Sequence, residues 1–356
     1  MKNLADALET HLFRILFSAL LITWSADSAL AAGVDTLFTS DKVLKLELRS
    51  DFSAIQIDRA ETPEEHDGEL IYHSPDGKKI KFSVKVSARG NFRRSPKNCN
   101  FPPLRINFKK SEVKNTIFDN QDKLKLVTPC QFEEEVLEEY AIYKMYNLVT
   151  DTSFMVRLAR ITYFDTGKGK KVFERYSFFI EDKDHLAERI GAFADERIVP
   201  PNKLENRNFR YLPVFQYMIG QRDWFITTSH NIAILQPNDT TLAPYAVPYD
   251  FDFSGLVDAE YTRPEGASSS IASNRRVYLG ACWSPGEFEE IFSFFRRLRP
   301  EFNSVINNMD LISKTGRNWM INYIDYFYKV IESKELIKQE FIDKCLTKKD
   351  LGIMDK

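Results

Sequence analysis

The sequence has little of what marks a zinc-binding, nucleic-acid-binding or membrane-spanning protein. Its four cysteines show none of the close paired spacings of zinc or redox motifs. Its 49 Lys and Arg residues are balanced by 51 Asp and Glu residues, so no basic field favours nucleic acid. There is no repeat and no low-complexity tract. The remaining composition, 43% hydrophobic and 28% charged, is that of a soluble globular protein.

The apolar run over residues 12–24 is too short to span a bilayer comfortably. Ala29 and Ala31 follow it at the spacing of a signal-peptidase site, which predicts a signal peptide over residues 1–31. We therefore expect export to a periplasmic or extracellular compartment. Arg14 interrupts the apolar core, so an uncleaved N-terminal anchor is the alternative. No second apolar stretch is present, and no stable membrane span is expected.

Export also bears on the cysteines. In an oxidising compartment, Cys99 and Cys130 can be bridged, since they flank predicted strands. Two buried free thiols are the alternative.

Hydrophobic periodicity predicts an α+β fold. A β-rich part over residues 32–180 precedes a mainly helical part over residues 181–356. The predicted elements are strands at 43–48, 80–86, 156–164 and 172–180, a hairpin turn at 74–77, a helix at 133–149 and a helical tail at 285–345.

The turn that contains Asp223 is the most informative segment. The apolar and aromatic run over residues 211–219 predicts a helix, so Gly220 and Asp223 lie in the turn that follows it. A loop mounted on a buried helix holds a catalytic carboxylate rigidly.

Oxygen ligands follow Asp223 along the chain. Asn231 opens a predicted buried strand, and Asp250 and Asp252 leave the end of the next strand on alternate residues. Two such strands can direct Asn231 and Asp250 at one ion. Phosphoryl transfer needs a carboxylate near the attacking group and oxygen ligands that hold Mg²⁺ against nucleotide phosphates. Taken singly, these residues are also compatible with turn caps and solvated loop carboxylates.

A basic segment lies between two predicted strands. Its cations flank Gly90 and Asn91, which let backbone N–H groups approach an anion. A phosphate-binding loop is one interpretation, and a solvated basic loop is the other. The cations are Arg89, Arg93, Arg94 and Lys97.

These segments resemble the CotH-like kinases, the atypical protein kinases named after a spore-coat protein. Residues 88–94 (ARGNFRR) are similar to the RGN segment of that family, and residues 103–108 to the basic strand that follows it. Residues 124–147 are similar to its strand-then-helix element. The resemblance covers roughly residues 80–260.

The resemblance implies a two-lobed, protein-kinase-like fold that transfers a phosphoryl group from ATP to the hydroxyl of an unidentified protein. Asp223 takes the catalytic role, and Asn231 and Asp250 bind Mg²⁺ or Mn²⁺. Asp252 is either a further metal ligand or structural.

The resemblance also implies a nucleotide-binding set of Arg89, Arg105, Lys125 and Glu139. Either Glu138 or Glu139 would pair with Arg105 or Lys125 and hold that cation against phosphate. A solvated acidic first turn of the helix is the alternative for both glutamates.

Two departures leave other functions open. There is no GxGxxG loop, and Arg105 stands where many relatives have lysine. A non-catalytic exported binding or envelope-structural protein is therefore one alternative, and a nucleotidyl transferase that leaves AMP on its acceptor is another.

Overall fold

Seven strands from the first half of the chain close into a barrel. The computed structural model describes residues 37–58, 60–262 and 276–353, so the predicted signal peptide lies outside the described residues. Six of the seven neighbouring pairs are antiparallel, and a parallel pair between the first and sixth strands completes the barrel. The strands are β1 (Leu44–Ser50), β2 (His66–His73), β3 (Lys79–Ala88), β4 (Leu104–Phe108), β5 (Lys123–Val127), β6 (Val156–Asp165) and β7 (Lys170–Ile180).

Alternation along these strands divides the side chains between two cores. Leu124 and Leu126 of β5, together with Phe179 of β7, belong to the cluster of buried residues from the barrel strands. Phe178 and Ile180 belong to the neighbouring cluster, which contains the helices. Because successive side chains of a strand point to opposite faces, β7 contributes to both cores at once.

The helices and a small sheet follow the barrel strands or connect them. The small sheet is antiparallel, in the order β10-β9-β8. Its strands are β8 (Ala192–Asp195), β9 (Ile232–Pro237) and β10 (Tyr245–Pro248). The helices are α1 (Phe52–Ile57), α2 (Lys110–Val113), α3 (Glu133–Val149), α4 (Lys183–Arg189), α5 (Asn206–Ile219), α6 (Pro285–Asn307), α7 (Lys314–Glu332) and α8 (Lys334–Ile337).

Local signals set the ends of the C-terminal helices. Ser284 and Glu287 form a capping box at the start of α6, and Pro285 occupies its first turn. The Ser313 side chain caps α7 by accepting a hydrogen bond from the Gly316 backbone N–H. Phe288, Ile291 and Phe292 of α6 are buried together with apolar residues of α3, α5 and α7 in one core.

The predicted α+β class is confirmed, and so are the main predicted elements. The helix predicted at 133–149 has those bounds, and the predicted turn at 74–77 joins β2 to β3 as a hairpin. The strand β7 ends at Ile180, where the β-rich part was predicted to end.

All four cysteines are paired. The bridge considered for Cys99 and Cys130 is formed. A second bridge, between Cys282 and Cys345, ties the segment before α6 to the segment after α8 and was not predicted. Two disulfides are characteristic of proteins from oxidising compartments.

Candidate active site

A cavity of about 530 Å³ brings together most of the residues singled out in the sequence. One wall comes from the barrel and the segment after β3, and the other from the segments around β9 and β10. Polar, charged and apolar side chains all contribute to its lining. Among the lining residues are Arg89, Gly90, Arg93, Lys125, Val127, Phe154, Ile180, Asp223, His230, Asn231, Tyr249, Asp250 and Asp252.

The turn that carries Asp223 is fixed to the end of α5. Gly220 ends this helix in the left-handed conformation, with φ of 70°. A Cβ atom at this position would lie 2.0 Å from the Tyr323 hydroxyl, so glycine is required here for space as well as for backbone conformation. The predicted helix and turn are confirmed.

Gln221 joins this turn to the segment that carries Asp250. Its buried side chain donates from Nε2 to the Asp250 carbonyl oxygen over 2.8 Å. Its Oε1 accepts from the backbone N–H of Arg222 at 3.1 Å and that of Asp223 at 3.4 Å. One side chain therefore sets the relative position of the candidate catalytic carboxylate and a candidate metal ligand.

Both carboxylate oxygens of Asp223 are hydrogen-bonded from one short hairpin. The His230 Nε2 atom lies 2.8 Å from Oδ1, and the Asn231 Nδ2 group donates to Oδ2 over 3.1 Å. Asn231 Nδ2 also donates to the Asp223 carbonyl oxygen over 2.7 Å. The Asp223 side chain is nevertheless 42% exposed, which leaves room for a second molecule to reach it.

Asn231 and Asp250 lie at the same end of the β9–β10 pair, as the sequence predicted. Ile232 pairs with Pro248, and the Tyr249 N–H donates to the Asn231 carbonyl oxygen over 3.0 Å. Asn231 and Asp250 both have positive φ, 53° and 64°. Non-glycine residues rarely adopt this conformation, and it is enriched at functional sites, although Asn and Asp tolerate it best.

The backbone of Asp250 is also held from α3. Its N–H donates to the Tyr143 hydroxyl oxygen over 2.9 Å, and the Tyr143 ring packs edge-on against Phe251. Burial raises the pKa of Tyr143 well above its usual range, so this hydroxyl stays neutral.

A buried charge network lies behind the metal-ligand candidates. Arg93 Nη1 is 3.6 Å from Asp252 Oδ2 and 3.9 Å from Glu139 Oε2. The Tyr261 hydroxyl donates to the same Asp252 oxygen over 3.0 Å. Burial, together with the charge of Asp250, raises the pKa of Asp252 to about 7.

Glu139, not Glu138, belongs to this network. The ion pair of Glu139 is with Arg93, whereas the sequence had pointed to Arg105 or Lys125. Burial and the carboxylates of Asp252 and Asp250 raise the pKa of Glu139 well above its usual range.

Two of the three cations predicted to bind the nucleotide line the cavity. Lys125 is half-buried, with its Nζ 5.7 Å from the centre of the Tyr249 ring. Burial and the charge of Arg89 lower the pKa of Lys125 to about 8. Arg89 also lines the cavity, but Arg105, which pairs with Lys125 across the β4–β5 ladder, is exposed and is not among the lining residues. Its position gives no support to a nucleotide-binding role.

A disulfide fixes the loop that carries Arg89 and Arg93. Cys99 is bonded to Cys130, and the Asn100 N–H donates to the Cys130 carbonyl oxygen over 3.1 Å. Arg93 Nη2 donates to the Thr128 carbonyl oxygen. Of the four cations in this basic segment, Arg89 and Arg93 line the cavity, whereas Lys97 is exposed to solvent and does not line it.

The donor set at the Asn231 end of the cavity fits a magnesium ion. Mg²⁺ in nucleotide sites is held by one or two carboxylates, waters and substrate phosphates. Asn231 donates both of its side-chain hydrogen bonds from Nδ2, so its Oδ1 is available to a cation, and the Asp250 carboxylate is close by. The described residues contain no group of three or more His, Cys, Asp or Glu side chains that would hold a metal unaided. The site therefore suits an ion that arrives with phosphate.

Sequence reasoning missed the residues that fix the relative positions of the others. Gln221, Tyr143 and Tyr261 carry no charge and match no motif of their own. The one available signal was the place of Gln221, directly between the helix-ending glycine and Arg222-Asp223.

No protein-family model matches the chain, and no curated protein matches it. None of the helices in the described ranges has the length and apolar character that a membrane crossing requires.

Proposed function

We propose that this protein is an exported, CotH-like kinase that transfers the γ-phosphoryl group of ATP to the hydroxyl of a protein acceptor, with Mg²⁺ or Mn²⁺. The proposal includes a kinase-like, two-lobed arrangement in which the barrel forms one lobe and the helical part the other. The large barrel, the helical remainder and a cavity lined by both support it.

One observation carries the proposal. Residues from four separate segments meet in one cavity: Arg89, Lys125, the Asp223–Asn231 hairpin and Asp250. Arg89 and Lys125 line the same cavity as two carboxylates. The Asp223 carboxylate is hydrogen-bonded by Asn231, and the Asp250 carboxylate follows strand β10. This combination is what an enzyme needs to bind a metal-nucleotide complex and to orient an attacking hydroxyl.

The chain's residues have distinct roles in this proposal. Asn231 and Asp250 would hold the metal ion, which neutralises phosphate charge when bound. Arg89 and Lys125 would contact phosphate oxygens, and Val127, Phe154 and Ile180 provide an apolar surface for the base.

Asp223 would orient the acceptor hydroxyl and take its proton as the hydroxyl oxygen bonds to the γ-phosphorus. The bond from that phosphorus to the bridging oxygen breaks, and ADP leaves with the electron pair. The two hydrogen bonds that Asp223 accepts from His230 and Asn231 fix the carboxylate for this task.

The two disulfides support the exported part of the proposal. Extracytoplasmic compartments are poor in ATP, so the test must establish that the protein uses the nucleotide at all. The purified chain is incubated with Mg²⁺ or Mn²⁺ and with ATP labelled in either the γ or the α phosphate.

We expect protein labelling from the γ-labelled nucleotide alone. Asp223→Asn should keep metal-ATP binding and slow transfer by about 10²-fold or more, because the hydroxyl loses its proton acceptor. Asp239→Asn, in the exposed turn between β9 and β10, is the control and should transfer at the wild-type rate. Labelling from the α phosphate would mean nucleotidyl transfer, and no labelling with either nucleotide would favour a binding protein.

A further inference from the structure

Asp250 and Asp252 line the cavity and Glu139 contacts Arg93, but these three carboxylates do not have equivalent surroundings. Asp250 lines the cavity, and its backbone is held by Gln221 and Tyr143. Asp252 is 4% exposed and Glu139 is 1% exposed. Both face the same buried guanidinium, that of Arg93.

Arg93 is fixed in this position from several sides. Its guanidinium carbon lies 5.7 Å from the centre of the Tyr261 ring, and its Nη2 donates to the Thr128 carbonyl oxygen. The loop that carries it is covalently tied by the disulfide of Cys99 and Cys130. A cation held in this way needs no dehydration when substrate binds and cannot diffuse away.

We propose that Arg93 takes the place of a second divalent cation, so that the site binds one metal ion per chain, at Asn231 and Asp250. The inference rests on the proposed function. It assigns Asp252 and Glu139 to the support of Arg93 and removes Asp252 from the set of metal ligands.

Two contacts argue against Asp252 as a metal ligand. Its Oδ2 already accepts a hydrogen bond from the Tyr261 hydroxyl and lies 3.6 Å from Arg93 Nη1. A divalent ion bound to this Oδ2 atom would lie against the guanidinium, and like charges repel strongly at such separations in a buried site. A guanidinium satisfies carboxylates with directed N–H donors, which a second metal ion would have to displace.

The test counts ions and does not depend on activity. The full chain, saturated with the non-hydrolysable analogue AMPPNP, is titrated with Mn²⁺, and bound ions are counted from the electron paramagnetic resonance signal of free Mn²⁺. We expect one Mn²⁺ per wild-type chain. Asp250→Asn should weaken Mn²⁺ binding by more than about 100-fold, because loss of a direct metal ligand has a larger effect than loss of a residue that only contacts the ligands. Asp252→Asn should change Mn²⁺ affinity by no more than about tenfold.

Arg93→Met should create a second site, because Asp252 and Glu139 then lose the guanidinium that both of them contact, and the count should rise to two. Arg94→Met is the matched control. Arg94 is the next residue and bonds the Ala60 carbonyl oxygen, so its loss should leave one ion. Arg93→Lys keeps the charge and should also bind one ion; it replaces Arg93→Met if that variant does not fold.

Several results would overturn the inference. They are two ions in the wild type, loss of the single ion in Asp252→Asn, a folded Arg93→Met chain that binds one ion, and an Arg93→Lys chain that binds two. A wild-type chain that binds AMPPNP but no Mn²⁺ would remove the metal-dependent function together with this inference. Two wild-type ions would instead leave the proposed function standing and reject the role of Arg93 alone.

Discussion

Two glutamines near the end of α5 allow a sharp test of how the Asp223 turn is held. Gln216 and Gln221 are each 1% exposed and lie five positions apart. Gln221 makes the hydrogen bonds that join the turn to Asp250. Neither side-chain polar atom of Gln216 has a hydrogen-bond partner among the described residues.

Replacement of each glutamine by leucine should therefore have opposite effects. Gln221→Leu loses bonds of 2.8 and 3.1 Å, each contributing about 1 kcal/mol, and leaves the Asp250 carbonyl unpaired at a further cost of about 1–3 kcal/mol. We expect the free energy of unfolding to fall by about 3–5 kcal/mol. Gln216→Leu removes two buried polar atoms without partners and should be neutral or should stabilise by up to about 1–3 kcal/mol.

The measurement is urea denaturation followed by tryptophan fluorescence, with the midpoints compared at a common slope. Equal destabilisation by the two leucine substitutions, or a greater loss from Gln216→Leu, would refute the assignment of Gln221 as the residue that joins these segments.

Three further predictions concern groups outside the catalytic set. Burial, reinforced by nearby acids, raises the pKa of Glu138 from 4.5 to about 9, so the folded state holds this proton more tightly than the unfolded state does. The free energy of unfolding should fall by up to about 1.4 kcal/mol per pH unit as pH rises between these values. Denaturation measured over a series of pH values should show a flatter slope for Glu138→Gln than for the wild type. Parallel plots of unfolding free energy against pH for the two proteins would contradict this. Replacement of Cys99 and Cys130 by serine should cost about 3–4 kcal/mol for a loop of 31 residues, measured against the wild type in urea, and an unchanged midpoint would count against it. Gly220→Ala should lower the melting temperature, because the added methyl group meets the Tyr323 hydroxyl. Combining Gly220→Ala with Tyr323→Phe removes that hydroxyl and should recover part of the lost melting temperature. No recovery would mean that backbone strain alone is responsible.

The sequence predicts the helices and strands of this fold well where one hydrophobic period, that of a helix or that of a strand, dominates the segment. The alternation in β1 and β3 and the glycine that ends α5 are local signals, and each specifies its element without knowledge of the partner. The positions of Asp223, Asn231 and Asp250 follow from those elements, because all three lie directly beyond the end of a helix or strand.

The pairing of charges could not be predicted in the same way. Alternation places Arg105 on the outer face of β4, but it does not tell whether anything covers that face. Glu139 pairs with Arg93 and not with Lys125. Arg93 lies in the loop after β3, and a disulfide joins this loop to the segment before α3, which the local sequence pattern does not reveal. A solvated acidic first turn was the alternative for Glu138 and Glu139, whereas both side chains are buried.

The closed barrel has a consequence for how this chain folds. Its closure pairs β1 with β6, so that Leu44 aligns with Ala159 and Ser50 with Asp165. Until β6 has emerged and paired, β1 presents an open edge that can recruit other extended chains. Contacts so distant in sequence form slowly, because the chain loses the entropy of closing the long loop before the contact stabilises it. The folding rate and the aggregation risk of this protein should therefore be decided at the β1–β6 seam.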